Sequence, residues 1–421
     1  MNRTALARPL RRARSPLGGL TRALGIPAAT LLCAASLATA DPDIAGKLEG
    51  AADLRARPSG AVLGRGVFDR LLAPHDQLRE TAHRALGLDY FAYYSTLFQQ
   101  GSEGDAEDAR SVVTQLHAVA LWDLVEHPAL GKGSLGVYFV DARKFLGKSA
   151  TALSEHCDTS LGVNDADIDE PFTALKDLWW EQRLFGQRLS LLAGQIELQG
   201  LMNANTYADD DTFSFLAQPV ATNPATVIVP AGLGAFAQIA PSDHGYLSLA
   251  FVDAAANGKF PDFETFANGE YLYAGELGIT PDIPGVGVGT YRATGFWRDA
   301  TESAPSAAGW ALSFEQDLGE RAGLFLRYAG VDEDDCDLQQ VLGAGAVLRR
   351  PFGRDRDWIG LAFMWGDVTA GSPRNEYALE AYWRLQLTER LEFTPDLQVH
   401  LHPDRGDSVS VLGGLRLRIA L

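Results

Sequence analysis

The chain has 421 residues, a formal net charge of −18, 46% hydrophobic residues and 43 glycines. That acidic balance argues against capture of nucleic acid or of an anionic lipid surface. With only three cysteines in the chain the sequence is not a disulfide scaffold. It has no Gly-x-Ser-x-Gly, Walker loop or zinc-ligand cluster, so no enzyme, metal or cofactor is expected.

Residues 1–40 contain six arginines and no acid, a short apolar stretch from Leu24 to Leu37, and then Ala38-Thr39-Ala40. This is the pattern of a secretory signal peptide, too short to span a membrane as a helix. Removing six arginines and no acid takes the charge from −18 to −24. Cys157 and Cys336 then remain, and a bridge between them or two separate thiols both stay open. No later stretch offers the roughly 18 consecutive apolar residues of a spanning helix. A membrane form of this chain has to be a closed barrel.

Residues 41–86 read as an N-terminal periplasmic segment. After Pro74 a helical spacing sets Leu78, Ala82, Ala85 and Leu86 on one side, which predicts a short helix capping a barrel base. From Gly87 to Leu421 alternation with a period of two takes over. It predicts an all-β fold, a 16-stranded antiparallel transmembrane β-barrel of the outer membrane. The strands fall at about 87–99, 111–124, 132–144, 173–185, 187–199, 233–240, 245–255, 269–279, 287–298, 308–318, 320–329, 338–349, 357–367, 374–387, 390–401 and 408–421. Connections alternate long and short, as they do where extracellular loops and periplasmic turns take turns. Tyr90, Tyr93, Tyr94, Trp122, Trp297, Trp310, Trp365 and Trp383 cluster near strand ends, where aromatic girdles belong.

With apolar positions turned to lipid, charge falls on the inner face. Asp177, Trp179, Glu181 and Arg183 share one face of their strand. Arg292 and Arg298 share another, and Arg327 lies on a third. The last three strands add Glu380, Arg384, Asp396, Gln398, Arg416 and Arg418. These are the candidate pore-lining residues. Charges of both signs with aromatic faces suit neutral polyhydroxylated solutes. The longest connection, 200–232, keeps apolar runs such as Phe213-Ser214-Phe215-Leu216, and is expected to fold into the barrel and narrow it. The final strand must close on the first, near Leu88–Tyr94, because an open edge in lipid leaves backbone groups unsatisfied.

Several stretches carry a family resemblance. They are LGLDYFAYY at 86–94, DLWWEQRLFGQRLSLLAGQIE at 177–197, LGAFAQIAP at 233–241 followed by YLSLAFVDA, and above all LEAYWRLQLTERLEFTPDLQVHLHP at 379–403. In this order they resemble the carbohydrate-selective porin (OprB) family. The resemblance implies a sixteen-stranded outer-membrane barrel, passive diffusion of small carbohydrates such as glucose, and no cofactor. A general or other-solute-selective porin is the alternative, and a non-channel anchor or adhesin stands behind it. Homotrimer and monomer both stay open. Leu421 stands where such barrels commonly end in phenylalanine.

Overall fold

A computed structural model describes residues 66–102, 109–166, 170–226, 229–333, 336–369, 374–402 and 408–421. The expected signal peptide and residues 41–65 lie outside the described residues.

Among the described residues, sixteen long strands form one antiparallel sheet. They are β1 (Leu88–Gly101), β2 (Arg110–His127), β3 (Gly131–Gly147), β4 (Phe172–Leu184), β5 (Leu189–Ile196), β6 (Gly232–Ser242), β7 (Gly245–Asp253) and β8 (Tyr271–Ile279). They continue as β9 (Gly287–Arg298), β10 (Ala307–Leu318), β11 (Ala322–Asp332), β12 (Leu338–Arg349), β13 (Trp358–Val368), β14 (Arg374–Gln386), β15 (Leu391–His402) and β16 (Ser408–Ala420). A two-residue ribbon, Asp282–Ile283, extends the β8–β9 turn by pairing with the start of β9. Each strand pairs with its sequence neighbours, and β16 pairs with β1 to close the barrel. Closure satisfies every edge, which is what lets a sheet stand in lipid.

The seam differs from the expected one. β16 meets Tyr93–Gly101, from Tyr93 opposite Ala420 to Gly101 opposite Leu412, and the Leu421 amide donates to the Ala92 carbonyl at 2.8 Å. The shift follows from strand tilt: closing a tilted sheet staggers its register, so the first residues of β1 overhang the end of β16.

The alternation sorts as the sequence reads. On β14, Ala378, Glu380, Tyr382, Arg384 and Gln386 are buried inside while Leu379 is exposed. Leu249, Leu277 and Leu361 are likewise exposed on the outer face. Trp122, Trp297, Trp310 and Tyr94 also stand outward. Tyr93 does not: it is buried on the inner face of β1. The expected girdle therefore loses that member, because the tandem Tyr93-Tyr94 sends one ring to each side of a strand.

The barrel interior holds chain as well as wall. Leu198, Leu201, Met202 and Val229 pack with Trp179, Phe236, Val252 and Leu272 of the wall. Tyr207, Phe215 and Val220 pack with Phe325, Met364 and Tyr382. A second connection also enters. Its helix α3 (Ala150–His156) and the following residues place Leu153, Cys157 and Val163 against Leu412 of β16. No disulfide joins Cys157 and Cys336, so the bridge left open by the sequence is not made.

Two helices precede the barrel, α1 (Val67–Leu71) and α2 (Ala73–Leu86). Pro74 sits in the first turn of α2, where a missing amide proton costs nothing, and Gly87 ends it in the left-handed conformation. Thr388 of the β14–β15 turn donates to Asp69, and Arg390 of the same turn pairs with Asp76. The helices therefore sit at the rim of short turns.

Candidate constriction and channel wall

The inner segment is residues 197–231, and the wall is built to hold it. Inward carboxylates of four strands receive its backbone amides, Asp177 of β4 among them. Glu276 of β8 accepts from Asn203 N at 2.6 Å, and Glu315 of β10 accepts from Thr206 N. Glu380 of β14 takes Leu216 N at 2.5 Å and Ala217 N at 3.1 Å. Arginines receive its carbonyls. Arg327 of β11, fully buried, reaches Ala208 O at 3.0 Å, Val220 O at 2.9 Å and Ala221 O at 2.8 Å with one terminal nitrogen, and Asn203 O at 3.1 Å with the other. Asp209 pairs with it at 3.1 Å. Arg292 holds Ala204 O at 2.9 Å, and Arg416 holds Ser214 O at 3.0 Å. Such charge-assisted bonds are the strong kind, and they satisfy loop backbone that would otherwise be buried without partners.

One run of rings and guanidiniums crosses the interior. Arg384 stacks 4.3 Å from the Trp358 ring and 3.5 Å from the Phe213 ring. Arg418 lies 4.7 Å from Phe213 and 4.6 Å from Tyr93. Tyr93 stacks on His117 with centroids 4.5 Å apart, and His117 bonds the Tyr138 hydroxyl at 2.5 Å. Phe213 is the only link in this run that comes from the inner segment. The rest come from β1, β2, β3, β13, β14 and β16.

The thirteen candidate residues divide by sector. Arg384, Arg416 and Arg418 come together around Phe213 and its neighbours. Glu380 anchors the segment beside them. Asp396 neighbours Gln398 at 3.3 Å, and Gln398 donates to Val163 O of the second inner connection at 2.9 Å. On β4, Asp177 accepts the Glu197 amide at 2.7 Å, Trp179 is buried, and Glu181 pairs with Arg183 at 2.6 Å. Arg298 stands apart from the others, at the end of β9 toward a long connection, bonded to Pro305 O at 2.7 Å and to Glu333 at 2.5 Å. Arg327 and Glu380 thus clamp the inner segment against the wall.

Sequence reasoning missed Lys176. A bulge opposite Tyr138 and Phe139 leaves Lys176 without a strand partner, and it turns inward beside Asp177 to pair with Glu197 at 2.8 Å. Strict alternation cannot find such a residue, since a bulge breaks the period. Glu376, which accepts from Ser160 N at 2.7 Å and Thr159 at 3.0 Å, was equally hidden, because its partners come from the connection between β3 and β4, far from it in the chain. Among the described residues no three metal-ligating side chains gather in one place.

The comparisons agree with this architecture. The sequence model of the "Carbohydrate-selective porin, OprB family" matches residues 300–421. Porin AaxA of Chlamydia abortus is 25% identical over 293 residues, which cover 68% of this chain and 64% of that protein. Porin AaxA of Chlamydia trachomatis serovar L2 is 25% identical over 232 residues, covering 53% and 50%. The chain thus spans less than two thirds of the length of these curated relatives. The high-pH structure of Pseudomonas putida OprB superposes with a TM-score of 0.68 at 15% identity, covering 86% of this chain and 99% of that one. The low-pH structure gives 0.52 at 14% identity, covering 83% and 97%. Residues 300–421 thus match the model of the OprB family, and the closed sixteen-stranded barrel that contains them has the fold of outer-membrane porins, which places the chain in the outer membrane.

Proposed function

We propose that the barrel passes small neutral carbohydrates such as glucose by passive diffusion, without catalysis and without a cofactor. The observation that carries this reading is the internal pairing of the inward charges. Arg183 pairs with Glu181, Lys176 with Glu197, Arg292 with Glu315 and Arg418 with Glu392. A wall compensated in this way exerts little net pull on an ion. It still offers donors and acceptors to hydroxyl groups, and the half-buried rings of Phe213 and Trp358 offer apolar contact to a sugar. The family's name and the resemblance of the terminal strands point the same way.

Single-channel recording in a planar bilayer tests this. Ohmic steps that glucose reduces in a concentration-dependent manner support the reading. Steps that no sugar affects, with liposome swelling that follows solute size alone, would replace it with general diffusion. An absence of steps would remove the channel reading itself.

A further inference from the structure

We infer that the rim helices α1 and α2 lie in the phospholipid headgroup region of the periplasmic leaflet, apolar side down, as an extension of the barrel's lipid-facing band. Three observations lead there. First, α2 meets the outward side of the barrel wall. The Trp122 indole, exposed on the outside of β2, donates to Leu86 O at 3.0 Å. His75 packs edge-on against Tyr90 with ring centres 5.4 Å apart, and Tyr90 shares the outward parity of exposed Tyr94.

Second, α2 has three sides. His75, Asp76, Arg79 and Ala82 are the more covered residues and lean on the barrel. Gln77, Glu80 and Arg84 form an exposed polar side, on which Arg84 pairs with Glu80 at 3.2 Å. Between these sides runs an exposed apolar stripe of Pro74, Leu78 and Ala85, at positions i, i+4 and i+11 of a helix. Third, α1 prolongs the stripe with Val67, Phe68 and Leu71, which are exposed along with Leu78 and Leu86. Five large apolar side chains in water on nineteen residues of helix would be a cost with no return. Beside an aromatic girdle the same stripe continues an apolar surface that already faces lipid. A short amphipathic helix in that position lies in the interface plane.

The test uses the full chain reconstituted in phosphatidylcholine–phosphatidylethanolamine vesicles. Single thiols, Leu78→Cys or Glu80→Cys, are placed on a Cys33→Ser, Cys336→Ser background and labelled with an environment-sensitive dye; buried Cys157 stays native. Both variants must retain heat-modifiable migration, which reports the closed barrel. At position 78 the dye should be quenched by lipids spin-labelled near the headgroup and shielded from aqueous iodide. At position 80 the order should reverse. Equal iodide quenching at both positions, or no lipid quenching at 78, overturns the proposal. Shielding at 78 from both quenchers would overturn it too, since it would mean that protein covers the stripe.

Discussion

The guanidinium carbon of Arg384 stands 3.5 Å from the centre of the Phe213 ring. Arg418 lies 4.7 Å from the same ring, so the aromatic tip of the inner segment is held between two cations of the wall. A cation over a ring contributes on the order of 0.5–2 kcal/mol, more where water is thin. Phe213→Ala removes both stacks and the apolar contact that the half-buried ring offers a solute. The expected result is a higher single-channel conductance with glucose block weakened by about 5- to 10-fold, corresponding to ~1 kcal/mol of lost contact. Dose–response curves of block on the wild type and the variant read this directly.

Arg327 is the other end of the same device. Its guanidinium is fully buried among carbonyls of the inner segment and pairs with Asp209. Arg327→Met keeps the apolar stem of the side chain and deletes the donors. The carbonyls and the Asp209 charge then lose their partner, a cost of about 3–5 kcal/mol. The backbone ladder of the barrel does not depend on this arginine, so the penalty falls on the segment. The variant should still migrate as a closed barrel, yet proteases should cut within 203–222 at least ten times faster than in the wild type.

How far the sequence discloses this arrangement depends on periodicity. Leu379, Glu380, Trp383 and Arg384 sort to the correct sides because a strand in a barrel has two unlike faces and nothing else to obey. Strand ends fall within a few residues for the same reason. Lys176 breaks the pattern because a bulge consumes one residue of the period. The run from Trp358 through Phe213 to His117 is illegible for a different reason. Its members lie up to 325 positions apart in the chain, from Tyr93 to Arg418, and only the path of the inner segment brings Phe213 between Arg384 and Arg418. The segment's inward course did show, through apolar residues too numerous for an exposed loop. The sequence does not single out residues 149–166, and their entry into the barrel is visible only from Glu376 and Gln398 reaching for their backbone.

Glycine on the inner face makes room for rings of the inner segment. A Cβ on Gly323 would stand 2.0 Å from the Tyr207 ring, whose hydroxyl is tied to Asp317. The ring cannot swing away without breaking that bond. Gly323→Val should therefore cost about 1–3 kcal/mol by overpacking. Tyr207→Ala in the same chain should recover part of the loss, which a double-mutant cycle of thermal unfolding in detergent can measure.

The rim helix carries a pH dependence with a defined sign. Burial first, and then the Arg79 and Arg390 guanidiniums, hold the pKa of His75 below its ordinary value of 6.5, with Asp76 acting in the opposite direction. A depressed pKa means that the docked helix prefers the neutral ring. Docking is at full strength above about pH 6.5 and weakens as pH falls through the lowered value. Amide exchange across Ala73–Leu86 should be slower at pH 7.5 than at pH 5, and His75→Gln should remove most of the difference. The effect is modest because the ring is only partly covered.

Lys176 tests whether compensation of charge sets what the channel admits. Its ammonium sits 2.8 Å from a Glu197 carboxylate oxygen, and Asp177 lies next to it on the strand. Lys176→Met retains the aliphatic bulk and leaves Glu197 without this counter-charge. An inward carboxylate freed in this way attracts cations into the narrow part of the lumen, where low dielectric walls strengthen its field. The reversal potential across a KCl gradient should move toward the potassium equilibrium value, by more at 0.1 M than at 1 M salt, because the Debye length falls from about 10 Å to about 3 Å over that range. Glu197→Gln added to the same chain restores the balance by removing the charge that Lys176 had neutralised. The double variant should therefore return toward the wild-type reversal potential. If it stays with the single variant instead, Lys176 shapes the lumen by position rather than by charge.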